Sequence, residues 1–146
     1  YAQFEAREEI QNKRRRLWEY YHNSLSDWAA EHKVRLPTVP PHCDQAYHMF
    51  YLIMPSLAER QELIAYLKLR GILAVFHYLP LHLSEMGRRN ASQPTHCPVT
   101  EDVSDRLLRL PFYNSLSQED QQKVVAALIA FYKQKSAHPR KHPWSP

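Results

Sequence analysis

The sequence predicts an α+β domain: a small antiparallel three-stranded sheet, helices packed mainly on one of its faces, and a long helix before it. Three observations support this prediction. The first 28 residues contain no glycine or proline and carry apolar residues at helical spacing. Three short apolar stretches further along are rich in the branched and aromatic residues that favour strands. Two later stretches open with a serine followed three residues on by an acidic residue, which is typical of a helix start.

The N-terminal helix is predicted over residues 1–30. Its apolar face is formed by residues at helical spacing, namely Leu17, Tyr21, Leu25 and Trp28. Residues 8–16 are almost wholly polar, so this part is expected to contact solvent or another surface. Because the chain starts at Tyr1 and its first residues already have the pattern of a helix interior, we expect it to be a piece of a longer protein.

The first strand is predicted over residues 47–54, after a loop at 31–45 in which three prolines exclude regular structure. Both faces of this strand are largely apolar, which indicates a central position in the sheet. His48 shares a face with Phe50 and Leu52 of the same strand. It is therefore predicted to be either a core histidine with a hydrogen-bond partner or a ligand-binding residue.

The next helix is predicted over residues 56–70. Ser56 and Glu59 form a capping-box sequence at its start, and Gly71 supplies the positive φ of its C-terminal cap. Its buried side is formed by Leu63, Ile64 and Leu67. A strand at residues 72–78 then completes a β-α-β unit.

The end of that strand carries the candidate site. Pro80 cannot donate a ladder hydrogen bond, so the chain is expected to leave the sheet near Leu79. His77, Tyr78 and His82 would then lie at the lip of the sheet, where they can be directed at a ligand. The alternative is an ordinary strand end with two histidines on the surface.

The rest of the chain is predicted to contain a polar loop, a short helix, a short strand and a final helix. These are the loop at 83–98, a helix that Thr100 caps and that continues to residue 107, a strand at 108–110 halted by Pro111, and a helix opened by Ser117 and Asp120. The inner face of the final helix is formed by Val124, Val125, Leu128, Ile129 and Tyr132. Residues 133–146 are basic and contain prolines, so they are predicted to be a disordered tail.

Length and composition indicate one globular domain. The chain has 146 residues, of which 44% are hydrophobic and 12% aromatic. Its net charge of +4 comes from clusters at residues 13–16 and in the C-terminal tail, which indicate either an acidic partner or solvated surface. We favour solvated surface. No aromatic residues interleave with the charges of the tail, so nucleic acid is not predicted as a partner. No apolar run approaches the length of a membrane span and no signal peptide opens the chain, so no membrane is predicted as a partner.

The two cysteines fit no metal or disulfide pattern. Cys43 and Cys97 are predicted to be reduced thiols of a cytoplasmic protein. Together with His42 and His96 they offer zinc-type ligands. However, the side chains of adjacent residues point apart, and both pairs lie in proline-flanked loops. No metal site is therefore predicted.

Three motifs carry a resemblance to a known family. They are Ala-Tyr-His-Met-Phe-Tyr at 46–51, Ala-Val-Phe-His-Tyr-Leu-Pro-Leu-His at 74–82 and Arg-Leu-Leu-Arg-Leu-Pro-Phe-Tyr at 106–113. In this order and with these spacings, residues 1–132 resemble the C-terminal domain of the PLP-dependent nucleotide-sugar aminotransferases (the DegT/StrS family, fold type I). The resemblance implies that residues 1–30 are a helix connecting an upstream large domain to a small domain at 31–132.

The resemblance also implies a function, a cofactor and partners. The parent protein would be a cytoplasmic, homodimeric transferase that moves an amino group, from glutamate, to a dTDP-4-keto-6-deoxyhexose. Such sugars serve bacterial surface polysaccharides such as the O-antigen of lipopolysaccharide. PLP would be held by the upstream large domain. His77, Tyr78 and His82 match motif positions of the family and are implied to line the sugar and phosphate end of the substrate.

The parts that PLP chemistry needs are not recognisable in this chain. A Schiff base needs a lysine in apolar surroundings, and the cofactor phosphate needs a loop with free amides. The lysines lie in polar stretches, and neither Gly71 nor Gly87 begins a phosphate-binding helix. We therefore predict no catalytic residue and no PLP bound by this chain alone. A stand-alone, non-catalytic interaction or dimerisation domain is the alternative function.

Two arginines at the predicted last strand each have two possible roles. Arg106 and Arg109 could pair with a substrate phosphate, or could hold a structural carboxylate such as Glu101 or Asp105. Both are therefore candidate substrate-binding residues, as is His48.

Overall fold

The computed structural model describes residues 1–93 and 96–137, without the side chains of residues 2 and 3. Its helices are α1 (Ala2–Glu5), α2 (Arg7–Glu31), α3 (Leu57–Lys68), α4 (Glu85–Asn90), α5 (Pro98–Arg106) and α6 (Gln118–Ala137). Its strands are β1 (Tyr51–Ile53), β2 (Val75–Phe76) and β3 (Leu107–Arg109). The predicted disordered tail beyond residue 137 lies outside the described residues.

The three strands form one sheet in the order β1-β3-β2. β3 is antiparallel to both neighbours, with Leu108 opposite Leu52 on one side and opposite Phe76 on the other. β1 and β2 are therefore parallel to each other and separated by β3. The β1-α3-β2 unit is thus split by a strand that comes later in the chain, and the predicted α+β class with an antiparallel sheet is confirmed.

Helices α2, α3 and α6 form the layer that covers one face of the sheet. That face carries Leu52 and Leu108, which are both fully buried. The predicted apolar helix faces are confirmed, because their residues are buried: Leu17, Tyr21, Leu25, Trp28, Leu63, Leu67, Val124, Val125, Leu128 and Tyr132. Ile64 and Ile129 are half-buried against the same core. The core therefore lies between the sheet and these three helices.

The predicted helix caps are present. The Ser56 hydroxyl accepts a hydrogen bond from the Glu59 amide at 3.2 Å, and Ser117 accepts one from the Asp120 amide at 3.0 Å. Gly71 has a φ of 71°, in the left-handed region that favours glycine. α3 ends two residues earlier than predicted, so the turn before Gly71 is longer.

All three strands differ from their predicted bounds, and two are much shorter. Tyr47 has a φ of 44°, which bulky residues rarely adopt, so the extended chain cannot begin there. β2 holds only Val75 and Phe76, which pair with Arg109 and Leu108 of β3. β3 itself begins one residue earlier than predicted.

The region predicted as a polar loop at 83–98 contains helical structure. A 3-10 turn at Leu81–Leu83 is followed directly by α4. Gly87 allows α4 to pack this closely on the 3-10 turn, because a Cβ atom at residue 87 would clash with the carbonyl oxygen of Leu81. Pro94 of the same region lies outside the described residues.

Three helix bounds also differ from prediction. α5 begins at Pro98 rather than after a cap at Thr100, because proline is well suited to the first helical position. α6 continues to Ala137 and so includes the first residues of the predicted tail. The N-terminal helix is interrupted at Ala6, which separates α1 from α2.

No helix in the described part of the chain is long and apolar enough to cross a membrane. Cys43 and Cys97 are free thiols. Residues 1–93 and 96–137 hold no group of three or more histidine, cysteine, aspartate or glutamate side chains that could bind a metal ion.

Candidate functional site

The predicted site residues lie where β2 ends and the chain leaves the sheet. His77 and Tyr78 follow β2 directly, and Pro80 precedes the 3-10 turn. The ladder ends at Phe76, earlier than the predicted exit near Leu79. Tyr78 is 73% exposed, so its ring is open to solvent or to a ligand.

His77 is partly buried and has a ring nitrogen without a partner. Its Nδ1 is enclosed and makes no hydrogen bond, and its ring centroid lies 4.7 Å from that of Tyr78. Burial lowers the pKa of His77, and the charges of Arg109 and His48 lower it further. The imidazole is therefore neutral at pH 7, with one nitrogen that donates and one that accepts.

Arg109 occupies the opposite face of the sheet from the buried Leu108, because successive strand residues alternate. Its guanidinium carbon lies 5.7 Å from the centroid of the Tyr78 ring. Its Nε is enclosed and makes no hydrogen bond, and none of the ion pairs found in the described part of the chain involves it. The predicted alternative of a structural carboxylate is therefore not what the structure shows for Arg109. We call Arg109, His48, His77 and Tyr78 the Arg109 cluster.

His48 is exposed, and the prediction of a core histidine is wrong. It lies before β1, which begins only at Tyr51, and unlike Phe50 and Leu52 it is not covered by the core. Together with Arg109 it lines a cavity of about 900 Å³. Much of the cavity wall is apolar and comes from β2, the segment after β3 and α6, including Ile72, Val75, Leu110, Phe112, Leu116 and Val124.

Arg106 has partners within the fold. Its Nη1 donates to the carbonyl oxygen of Met54 at 3.3 Å, and its Nη2 forms an ion pair with Asp102 one helical turn earlier. The carboxylate that it holds is thus Asp102, rather than the predicted Glu101 or Asp105. These contacts attach α5 to the end of β1 and support a structural role for Arg106.

His82 is also engaged by the protein itself. Its Nε2 lies 2.8 Å from Oε1 of Glu101, and the same oxygen is 3.1 Å from Nδ1 of His96 and 2.9 Å from the amide nitrogen of Cys97. The Cys97 amide, followed by His82, lowers the pKa of Glu101 to about 2. We call these groups the Glu101 cluster. It ties the 3-10 turn to the start of α5 and leaves only Nδ1 of His82 for a ligand.

Sequence reasoning missed Glu101 as the partner of His82. The two residues are 19 positions apart, and no local pattern joins them. The one available signal was the position of Glu101 in the first turn of a helix, where carboxylates accept free amides. That signal explains its bond to Cys97, but it does not indicate the two histidines.

The model of the DegT/DnrJ/EryC1/StrS aminotransferase family matches residues 1–129. The chain belongs to this family. The match includes all three strands and both clusters, so the candidate site lies within the part of the chain that the family model matches.

Two curated relatives and one solved structure illustrate the family. The pleiotropic regulatory protein of Geobacillus stearothermophilus is 33% identical over 99 residues, which is 67% of this chain. The UDP-N-acetyl-3-dehydro-α-D-glucosamine 3-aminotransferase of Acidithiobacillus ferrooxidans is 31% identical over 103 residues, which is 69% of this chain. The crystal structure of the aminotransferase TlmJ from Streptoalloteichus hindustanus superposes on 91% of this chain with a TM-score of 0.79 and 25% identity.

These family members are much longer than the chain. The matched part spans 27% of each of the two relatives and 34% of the TlmJ structure. The activities in their names therefore belong to proteins in which a region like this one is about a third of the length or less.

Proposed function

We propose that this chain is the C-terminal domain of a PLP-dependent nucleotide-sugar aminotransferase and that it supplies substrate-binding groups to that enzyme. The observation that carries the proposal is the family match over residues 1–129, together with the position of His77 and Tyr78 at the open end of β2. In this proposal the reacting groups come from elsewhere in the protein, and this domain shapes the sugar and phosphate end of the site.

We propose that none of the lysines in the described residues forms a Schiff base with PLP. A Schiff-base lysine needs surroundings that lower its pKa, whereas Lys13, Lys33, Lys68, Lys123 and Lys133 are exposed. Lys135 is half-buried but forms ion pairs with Glu59 at 3.4 Å and Glu62 at 3.6 Å, so its surroundings are not apolar. Lys141 is outside the described residues. The proposal therefore assigns the Schiff-base lysine, the carboxylate partner of the cofactor ring and the phosphate loop to an upstream large domain.

The substrate that we propose is a dTDP-4-keto-6-deoxyhexose, with glutamate as amino donor. The motif residues resemble those of dTDP-4-amino-4,6-dideoxygalactose transaminase, and in this proposal the product would serve bacterial surface polysaccharides. His77 can donate to a sugar hydroxyl or accept from it, and the exposed hydroxyl of Tyr78 can do the same. His82 would contribute through Nδ1, since Glu101 engages its other nitrogen.

The partners that we propose are the large domain and a second copy of the parent enzyme, in the cytoplasm. Large apolar side chains are exposed from β2 to α5, namely Leu73, Phe76, Leu79, Leu81, Met86 and Val99. Such exposed apolar surface is typical of an interface. We expect the large domain to cover much of it, which would bring PLP and the lip of the sheet together.

The proposal is tested with the longer protein that contains this chain. Purified with PLP, it should form a dTDP-amino sugar from dTDP-4-keto-6-deoxyglucose and glutamate, and the 146-residue chain should not. Borohydride reduction in the presence of PLP should label one specific lysine in the longer protein and none in the chain. A single stoichiometric label in the chain would overturn the assignment of PLP to the large domain. A longer protein that binds no PLP and transfers no amino group would favour the interaction domain instead.

A further inference from the structure

We propose that Arg60 is a positioning residue, which holds the end of β2 in the place where His77 and Tyr78 can bind the substrate. The role in substrate binding rests on the proposed function, whereas the contacts that hold the strand end belong to this chain alone. Arg60 lies in α3, outside both clusters, and the sequence does not single it out as a site residue.

Arg60 is a buried cation, with only 6% of the residue exposed. Its Nη1 donates a hydrogen bond to the backbone carbonyl oxygen of Ser104 in α5 at 3.0 Å, whereas its Nε makes none. Its guanidinium carbon lies 5.7 Å from the ring centroid of Phe76, the last residue of β2. Burial of a cation costs free energy, which contacts of these two kinds offset. Arg60 therefore joins α3 both to α5 and to the end of β2.

Ser104 extends this connection to the candidate site. Its hydroxyl donates to the backbone carbonyl oxygen of Tyr78 at 3.2 Å. Two contacts therefore lead from α3 to the strand end, one through the ring of Phe76 and one through Ser104. His77 lies between these two contact points, and its enclosed Nδ1 makes no hydrogen bond. The position of the His77 ring therefore depends on how the backbone on either side of it is held.

α5 holds the same segment at a second point. Glu101, which lies one helical turn before Ser104, contacts His82 at 2.8 Å. The segment from the end of β2 to the 3-10 turn is thus attached to α5 at both ends, and Arg60 attaches α5 to α3. A ligand is oriented by groups that are fixed in advance, and a misplacement of about 1 Å can cost about a hundredfold in rate. A change at Arg60 should therefore affect substrate binding through the strand end.

The first measurement is NMR of the histidine ring protons of the 146-residue chain over a pH titration. Burial is the largest cause of the lowered pKa of His77. Arg60→Gln and Ser104→Ala should shift the His77 resonances and raise the pKa of His77, because a loosened strand end gives the ring more access to water. Arg60→Lys should have a smaller effect, since lysine retains the charge and can donate to the same carbonyl oxygen.

The second measurement is the steady-state kinetics of the longer protein that contains this chain. Ser104→Ala removes one hydrogen bond between neutral groups, so it should raise the KM for the nucleotide-sugar about two- to tenfold and leave kcat within about twofold. Arg60→Gln should raise the KM at least as much, and Arg60→Lys should raise it less.

Arg14→Gln is the matched control for both measurements. Arg14 is also a partly buried arginine with a hydrogen bond, from its Nε to the side chain of Asn114 at 2.9 Å, but this partner lies outside α5 and β2. The control should lower the melting temperature without moving the His77 resonances or the KM.

Two results would overturn the inference. In the first, Ser104→Ala and Arg60→Lys leave the His77 resonances and the KM as they are in the parent, whatever their effect on the melting temperature. In the second, Arg14→Gln moves the His77 resonances or the KM as much as Ser104→Ala does. If Arg60→Gln does not fold, Ser104→Ala and Arg60→Lys provide the same test in folded chains.

The positioning role and the proposed function can fail separately. Shifts of the His77 resonances that depend on Arg60 and Ser104, in a chain whose longer protein transfers no amino group, would keep the contacts and remove the proposed function. Amino transfer by the longer protein, with a KM that depends on neither residue, would keep the proposed function and overturn the positioning role.

Discussion

The Arg109 cluster and the Glu101 cluster contain His77 and His82, the two histidines of one short motif. The two clusters differ in whether their charged side chains have a partner of opposite charge. In the Glu101 cluster a single carboxylate oxygen receives His82, His96 and the Cys97 amide, all within 3.1 Å. In the Arg109 cluster, the enclosed Nε of Arg109 and the enclosed Nδ1 of His77 make no hydrogen bond. The difference is that His82 has a carboxylate partner, whereas Nδ1 of His77 has no hydrogen-bond partner among the described residues.

Residue type alone would not have separated them. His77 and His82 occur five residues apart in the same motif, and the sequence assigned both to substrate binding. The structure supplies the distinction, because only His82 has a carboxylate partner among the described residues. The comparison predicts that one histidine affects stability more and the other affects substrate binding more.

The largest loss of stability should come from the core that supports both clusters. We expect Leu128→Ala to lower the free energy of unfolding by about 2–5 kcal/mol, because Leu128 is fully buried between the helices and the sheet. Urea denaturation of the chain measures this loss. Leu69→Ala is the control, since Leu69 is 85% exposed, and its effect should be within about 0.5 kcal/mol of zero. Equal midpoints for the two variants would show that the helix layer is misassigned.

The next largest effect should be on substrate affinity. In the longer protein, His77→Ala should raise the KM for the nucleotide-sugar about ten- to a hundredfold, because it removes a hydrogen bond to a charged ligand. Its cost in stability should stay under about 1 kcal/mol, since the ring makes no hydrogen bond through Nδ1.

His82→Ala is the paired variant for that test. It breaks the contact with Glu101, so it should lower the melting temperature more than His77→Ala does and raise the KM less. The melting temperature and the KM, each measured for His77→Ala and for His82→Ala, test whether the two histidines have different roles. If the two histidines exchange these roles, the distinction between the clusters is wrong.

The smallest effect should be a dependence of the melting temperature on pH in the acidic range. The folded chain lowers the pKa of Glu101 from 4.5 to about 2, so the folded state binds this proton less readily than the unfolded state does. The stabilisation is therefore fully present above about pH 4.5 and is lost as the pH falls toward 2. Melting temperatures measured from pH 6 to pH 2 should fall less steeply for Glu101→Gln than for the parent chain. Glu85→Gln, at an exposed pair with Arg89, should leave the slope unchanged.

Features encoded by neighbouring residues could be predicted from the sequence. The helix faces follow from the 3.6-residue period, and the caps at Ser56, Ser117 and Gly71 follow from the local chemistry of hydroxyl groups and of glycine. The family resemblance rested on similar short motifs, and it is confirmed.

Features that depend on distant residues could not be predicted. The strand with which β2 pairs, β3, lies about 30 residues later in the chain. The contact between Glu101 and His82 exists only because α5 begins beside the 3-10 turn. In each case the decisive partner is absent from the local sequence.

The order of the strands in the sheet determines when this domain can fold during synthesis. β3 lies between β1 and β2 but is the last of the three to leave the ribosome. Until residues 107–109 have emerged, β1 and β2 lack the neighbour with which each of them pairs, and α3 lacks a completed sheet to pack on. Until then the nascent chain exposes apolar segments of this domain, and chaperones can protect them during this period. The lip that carries His77 can take its final shape only after β3 has emerged.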